Sequence, residues 1–286
     1  MKKTLIASAL LLLTASAFSY DWPVTLTGDD FEMYFGQLNG SSLNPSIIFK
    51  DEGEVKAADE GSTAIIMGSH NDDMGWFPSA LGEAVILSHE NSIDTVYANI
   101  ELDTLSPSVR TDSTVASGKV IAKSGNTAWQ SKHNGLEFQV ADVKNKAMIN
   151  PRILMPRLAQ EAPYFIGTVT VTDRNGSSYN LSQVKALYSG QYSFYREKDA
   201  LNVPYRATIT VNGEVVHRLQ YDSLSTAGRR LCVGGSPELT AESVYPDSKR
   251  QLLGTINLVR GRNLIIVTMM NILGETRTAS WAIDVI

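Results

Sequence analysis

Short apolar runs recur along the chain at roughly 8–12-residue spacing, separated by Gly, Asn, Asp and Ser, which is the pattern of an all-β protein. Ala64–Gly68 and Gly82–Leu87 read as buried strands, as do Thr95–Ala98 and Lys119–Ala122. Over Leu136-Glu137-Phe138-Gln139-Val140 the apolar residues alternate with polar ones, so one face of this strand is buried and the other is not. Helix signals are scarce.

The pattern changes at Asn150–Pro163, where three prolines interrupt any regular element. Beyond it the chain reads as hairpins. Tyr205, Ala207, Ile209 and Val211 alternate inward, Asn212-Gly213 signals a type I′ turn, and Val215, His217, Leu219 and Tyr221 alternate back. Asn175-Gly176 signals a second such turn, and a turn at Gly274 joins the last two strands, Leu264–Met270 and Ala279–Val285. Short strands at this density over residues 164–286 suggest an immunoglobulin-like β-sandwich.

The first nineteen residues read as a secretory signal peptide. Lys2 and Lys3 precede an apolar run over Leu5–Leu13, and small residues follow at Ala15, Ala17 and Ser19. The run is shorter than the about 20 apolar residues a spanning helix needs, and no later stretch is long enough, so a periplasmic or secreted chain with no transmembrane segment is expected. Among the 286 residues, 25 are basic and 30 acidic; without Lys2 and Lys3 the balance is 23 against 30, or about −7. That argues against nucleic acid as a partner. A single cysteine, Cys232, excludes an internal disulfide framework and a thiolate zinc cluster.

Several stretches within residues 31–158 match a known family in order. Phe35-Gly36 opens the series. Val55-Lys56-Ala57-Ala58-Asp59-Glu60-Gly61 is similar to a "V-x-A-A-x-D-G" strand and turn, and Gly82–His89 with Thr95-Val96-Tyr97-Ala98-Asn99 to a "G-x-x-V-x-I-x-H … T-x-Y-A-H" hairpin. Ser124-Gly125-Asn126-Thr127 matches "S-G-N-T", Gly135–Val140 "H-L-H-F-E-V", and Ile149-Asn150-Pro151 "V-N-P". The series resembles the lysostaphin-type (LytM-like) zinc metallopeptidases, which cut peptide cross-links in bacterial peptidoglycan. The resemblance implies an antiparallel β-sheet (duplicated hybrid motif) domain over residues 20–158, ahead of the sandwich.

The same alignment places substitutions at every position of the zinc machinery. In the family an "H-x-x-x-D" motif and the second His of "H-x-H" hold zinc, while another His of that strand and the "Y-A-H" His assist the attacking water. Here those positions are Asn44 and Ile48, Gly135 and Glu137, and Asn99. Catalytic zinc takes three protein ligands, and only Glu137 remains as one. Without the ion nothing lowers the pKa of water towards about 7, and no imidazole is left for proton transfer. The resemblance therefore implies the fold with zinc and catalysis lost.

Other residues compete for a role. His70, Asp72 and Asp73 form a ligand-like cluster, more simply read as a polar loop; His133 lies beside the altered strand. An active peptidase with displaced ligands would draw on these and Glu137. His89 matches a family position outside the zinc set and reads as structural, His217 as a core or surface residue of its hairpin, and Cys232 as a small buried hydrophobe. Trp76, Phe77 and Trp129 either contact a ligand along the former groove or cap the sheet ends. No "G-x-S-x-G" elbow or phosphate-binding glycine loop occurs. The expected protein is thus an exported pseudoenzyme that binds peptidoglycan or regulates a cell-wall hydrolase, as known inactive members of the family activate amidases; a structural or adhesive envelope protein is the other class.

Overall fold

A computed structural model describes residues 20–68, 79–128, 134–161, 163–198 and 204–286. The expected signal peptide lies outside these residues. The described chain is nearly all β, as the alternation predicts, with only two four-residue α-helices, Ser108–Thr111 and Ala241–Val244, among the described residues. None of its helices is long and apolar enough to cross a bilayer.

The N-terminal half is built on an antiparallel sheet centred on Glu137–Asp142. That strand pairs along its whole length with Ile93–Ala98. Its other edge is shared: Glu137, Phe138 and Gln139 face Ile48, Ile47 and Ser46, while Val140, Ala141 and Asp142 face Ile149, Met148 and Ala147. Ala84–Ser88 and then Ser62–Met67 extend the sheet beyond Ile93–Ala98. Because side chains alternate across a strand, Leu136, Phe138 and Val140 all point to one side and are fully buried. There they pack with Ile47, Tyr97 and Val85, and with Val55, Ile100 and Ile121 from a three-stranded sheet, Glu54–Lys56, Val120–Ser124 and Ile100–Glu101. Each such side chain contributes about 1.5–3 kcal/mol by leaving water. This core fixes the opposite face of the sheet, which carries Ser46, Ile48, Ala98, Glu137 and Gln139.

In the C-terminal half a four-stranded and a five-stranded sheet share one core, in which Val171, Phe194 and Leu253 of the first meet Ile209, Val267 and Ile283 of the second. Asn212 and Gly213 both adopt positive φ (52° and 92°), the type I′ geometry, between Arg206–Val211 and Glu214–Gln220.

The two halves are stitched together rather than strung on a linker. Ser223–Ala227 leaves the C-terminal sheets and pairs with Ala147–Ile149, and Arg230–Val233 pairs in turn with it, so both continue the N-terminal sheet. Asn150 donates from its backbone to Asp222 O at 2.8 Å and from Nδ2 to Tyr221 O at 3.0 Å. Gly36, at φ 81°, leaves room for the Tyr221 ring, since a Cβ there would lie 2.5 Å from Cδ1. Within the proline-rich stretch, the Arg152 guanidinium lies over the adjoining rings of Phe31 and Tyr34, 5.3 Å from each centre, and pairs with Glu161.

Three local expectations are corrected. Ala64–Gly68 is not a buried strand: Ser62–Met67 forms the outer strand of its sheet, and Ile65 is half exposed because it has a neighbour on one side only. Asn175-Gly176 is not a type I′ turn, because only Gly176 has positive φ; Asp173 caps a longer loop by accepting from the Asn175 and Ser177 amides. Val215 does not face inward. A bulge opposite Ile209 and Thr210 shifts the register and turns Val215 to solvent.

Candidate functional site

The positions that the family motifs pick out meet on the outer face of the N-terminal sheet. Glu137 stands directly between Ile48 on one neighbouring strand and Ala98 on the other. Asn99 follows Ala98 at φ 60°, a left-handed conformation that Asn tolerates better than most residues. Its fully buried amide is a four-way clamp: Nδ2 donates to Gly125 O at 2.6 Å and to Gly135 O at 2.8 Å, while Oδ1 accepts from the Thr127 and Ala128 amides at 2.9 and 2.8 Å. Asn99 thus ties the Ser124–Thr127 turn to Gly135.

Gly135 is held against the adjoining chain. A Cβ at this position would lie 1.9 Å from the Phe49 carbonyl oxygen, well inside contact distance, while the next peptide unit is fixed by Phe49 N donating to Leu136 O at 2.9 Å. Asn44 is also fully buried and locked. Its Nδ2 donates to Tyr34 O and Ser46 O at 2.9 and 2.8 Å, and its Oδ1 accepts from the Ser46 hydroxyl at 2.6 Å. Ile48, 3% exposed, offers no donor atom.

Glu137 keeps the site's one ionisable group. Burial pushes its carboxyl above the ordinary range, against hydrogen bonds from Gln139 and Ser46 that pull the other way. The Gln139 amide donates at 2.9 Å, but the Ser46 hydroxyl gives its only proton to Asn44, so its support for the carboxylate is weak. In the unfolded chain a Glu titrates near about 4.3. Below that value both states are protonated and folding keeps its full stability; as pH rises through the raised folded value, ionisation of the buried group costs stability. Glu137→Gln is therefore expected to melt higher than the parent at pH 8, with the gain closing as pH falls towards 4. Thermal scans across that range check it; a variant that melts lower at pH 8 removes this account of Glu137.

These five positions do not fit zinc. They supply one carboxylate, two amides committed to backbone groups, one isoleucine and one glycine. Among the described residues no cluster of three or more His, Cys, Asp or Glu side chains is placed to hold a metal. His70, Asp72, Asp73, His133, Trp76, Phe77 and Trp129 lie outside the described residues.

The remaining candidates have structural partners. His89 donates from Nδ1 to Glu60 O at 2.7 Å and lies 2.7 Å from the Thr95 hydroxyl, which reaches Tyr97 OH at 3.2 Å. Gly61 makes room for that ring, since a Cβ there would come within 2.7 Å of Nδ1. Cys232 is buried with its thiol pushed up by desolvation, and donates to Ser225 O at 3.2 Å. Ser46 and Gln139 were not among the sequence candidates. Alternation carries their signal: each lies two residues from a candidate on its own strand, Ile48 and Glu137, and so shares its face.

Together the fold and this face define a β-sheet module of peptidase type. The family model of "Peptidase family M23" matches residues 47–151, and a second family model spans residues 163–286. An uncharacterized protein of Treponema pallidum (strain Nichols) is 31% identical over 117 residues, covering 38% of this chain and 78% of that protein. The chain belongs to peptidase family M23, whose lysostaphin-type members its motifs resemble. Among solved structures, it is similar to a chain of a SpoIIQ–SpoIIIAH pore-forming complex (18% identity, TM-score 0.37, 50% of this chain and 95% of that one). A crystal structure of a SpoIIIAH and SpoIIQ complex gives 19% identity and TM-score 0.35, over 46% and 96% of the two chains.

Proposed function

We propose that the chain is a non-catalytic M23 protein, exported to the bacterial envelope, in which the former catalytic face binds peptidoglycan stem peptides or docks a cell-wall hydrolase. The observation that carries this reading is the packing of Gly135 on the Phe49 carbonyl. A histidine cannot be placed there without moving the backbone, so the first "H-x-H" position has lost the space for a side chain as well as the side chain itself. The locked amides of Asn44 and Asn99 support it, because their hydrogen-bonding capacity is spent on holding loops. In this reading zinc plays no part, Trp76, Phe77 and Trp129 are the candidate ligand contacts, and the C-terminal pair of sheets is an immunoglobulin-like sandwich that orients the module.

The test uses the exported chain, purified without its signal peptide. No stoichiometric zinc and no hydrolysis of cross-linked peptidoglycan are expected, together with retention on isolated sacculi that Trp76→Ala or Trp129→Ala weakens. Metal-dependent turnover lost in His133→Ala would establish the displaced-ligand peptidase instead. Absence of retention on sacculi and of capture by a purified cell-wall hydrolase would leave a structural envelope protein.

A further inference from the structure

A groove of about 410 Å³ lies on the C-terminal half, remote in sequence from the Glu137 face. Its floor is the outer side of the four-stranded sheet. Gly190–Glu197 presents Gln191, Ser193 and Tyr195 there, and Arg250–Leu258 presents Leu252 and Thr255 opposite them. Ser236 and His217 stand at its wall, and around them the groove continues into a second hollow of about 550 Å³. The His217 ring closes against the sheet because position 254 is glycine; a Cβ there would lie 2.3 Å from His217 Cδ2.

The chemistry of this floor is that of a neutral, hydroxyl-rich ligand. Ser193 and Thr255 lie 3.0 Å apart as a hydroxyl pair, which uses one of their two protons and leaves one donor and several lone pairs. Gln191 accepts from Arg174 Nε at 2.9 Å, so its amide is oriented, and among the described residues its N–H groups have no other bond. Tyr195 is fixed by the Arg250 guanidinium 5.0 Å from its ring centre, itself held by Asp247 at 2.6 Å. With Leu252 beside it, the ring offers an apolar platform among polar groups, the combination that grips the C–H face and the hydroxyls of a sugar. Among the described residues the lining holds one carboxylate, Glu238, and no Lys or Arg; of the arginines that touch the floor, Arg250 is neutralised by Asp247 and Arg174 is engaged with Gln191, so the groove presents little net charge to a ligand. An extended peptide recognised through its main chain needs an open strand edge, whereas Gly190–Glu197 is paired on both sides, with Val169–Asp173 and Arg250–Leu258, and the outer edge of Arg250–Leu258 is flanked by Glu214–Gln220, whose His217 ring packs on Gly254.

We infer that this groove binds a neutral saccharide chain. The site stands independently of the role proposed for the Glu137 face. Calorimetric titration of the exported chain with chitotetraose and, separately, maltotetraose tests it and separates amino-sugar from plain glucose polymers. Sub-millimolar binding of at least one is expected, weakened at least tenfold by Tyr195→Ala and by Ser236→Arg. Ser236→Arg fills the groove from its wall and leaves the core untouched, so it decides the matter if Tyr195→Ala fails to fold. Binding of neither sugar at millimolar concentration, or binding that survives Ser236→Arg in a folded protein, overturns the inference.

Discussion

Gly135→Ala is expected to destabilise the protein by about 3 kcal/mol, at the upper end of the usual cost of forcing atoms into a packed site. A single methyl group at this position would sit 1.9 Å from the Phe49 carbonyl oxygen and 2.4 Å from its carbon. The obstacle is backbone, so no rotamer change relieves it. The strand bearing Phe49 cannot simply retreat, because Phe49 N is bonded to Leu136 O and its ring packs in the core against Phe31 and Trp22. Urea unfolding at pH 7 gives the measurement. Gly135→His, the change that would recreate the family residue, is expected to cost more and to add no zinc binding. A stable Gly135→His variant that takes up one zinc per chain would show that the groove still has room for the family's chemistry.

Asn99→Ala is expected to cost about 4 kcal/mol. The substitution removes four hydrogen bonds that the Asn99 side chain makes to backbone groups, each worth about 0.5–1.5 kcal/mol net, and it places alanine at φ 60°, worth about 1–2 kcal/mol more. Relaxation of the Ser124–Thr127 turn returns part of that sum. Asn99→Asp keeps the acceptor for Thr127 and Ala128 but turns a carboxylate oxygen onto the Gly125 and Gly135 carbonyls in a buried site, so it is expected to destabilise the protein at least as much as alanine. The Gly135 and Asn99 effects are expected to add to less than their sum, since Asn99 Nδ2 holds the Gly135 carbonyl that the first substitution already displaces. Strict additivity in a double-variant cycle would mean that the two positions do not form one unit.

The alternation at Leu136, Phe138 and Val140 gave the buried face of the central strand correctly, because a strand has only two sides and the apolar residues must share one. Asn212-Gly213 announced its turn type for an equally local reason, the positive φ that both positions require. The site was legible as a set of substitutions at motif positions, Asn44, Ile48, Asn99, Gly135 and Glu137, and those residues do lie around one strand. What each replacement does was not legible. That Asn99 clamps a turn, or that Gly135 lies on a carbonyl, depends on segments distant in the chain. Ile65 looked like a core residue for the same reason, since the sequence has no mark for a strand that lacks an outer neighbour.

Residue type and short spacing were enough for the class of secondary structure and for the inward side of the central strand. The joining of the halves, through Ser223–Ala227 crossing to Ala147–Ile149, and the polar groove where Gln191, Ser193 and Tyr195 meet Leu252 and Thr255 emerge only in the folded chain. Both are long-range pairings. Their partners are chosen by the packing of whole sheets, which no local window of residues encodes.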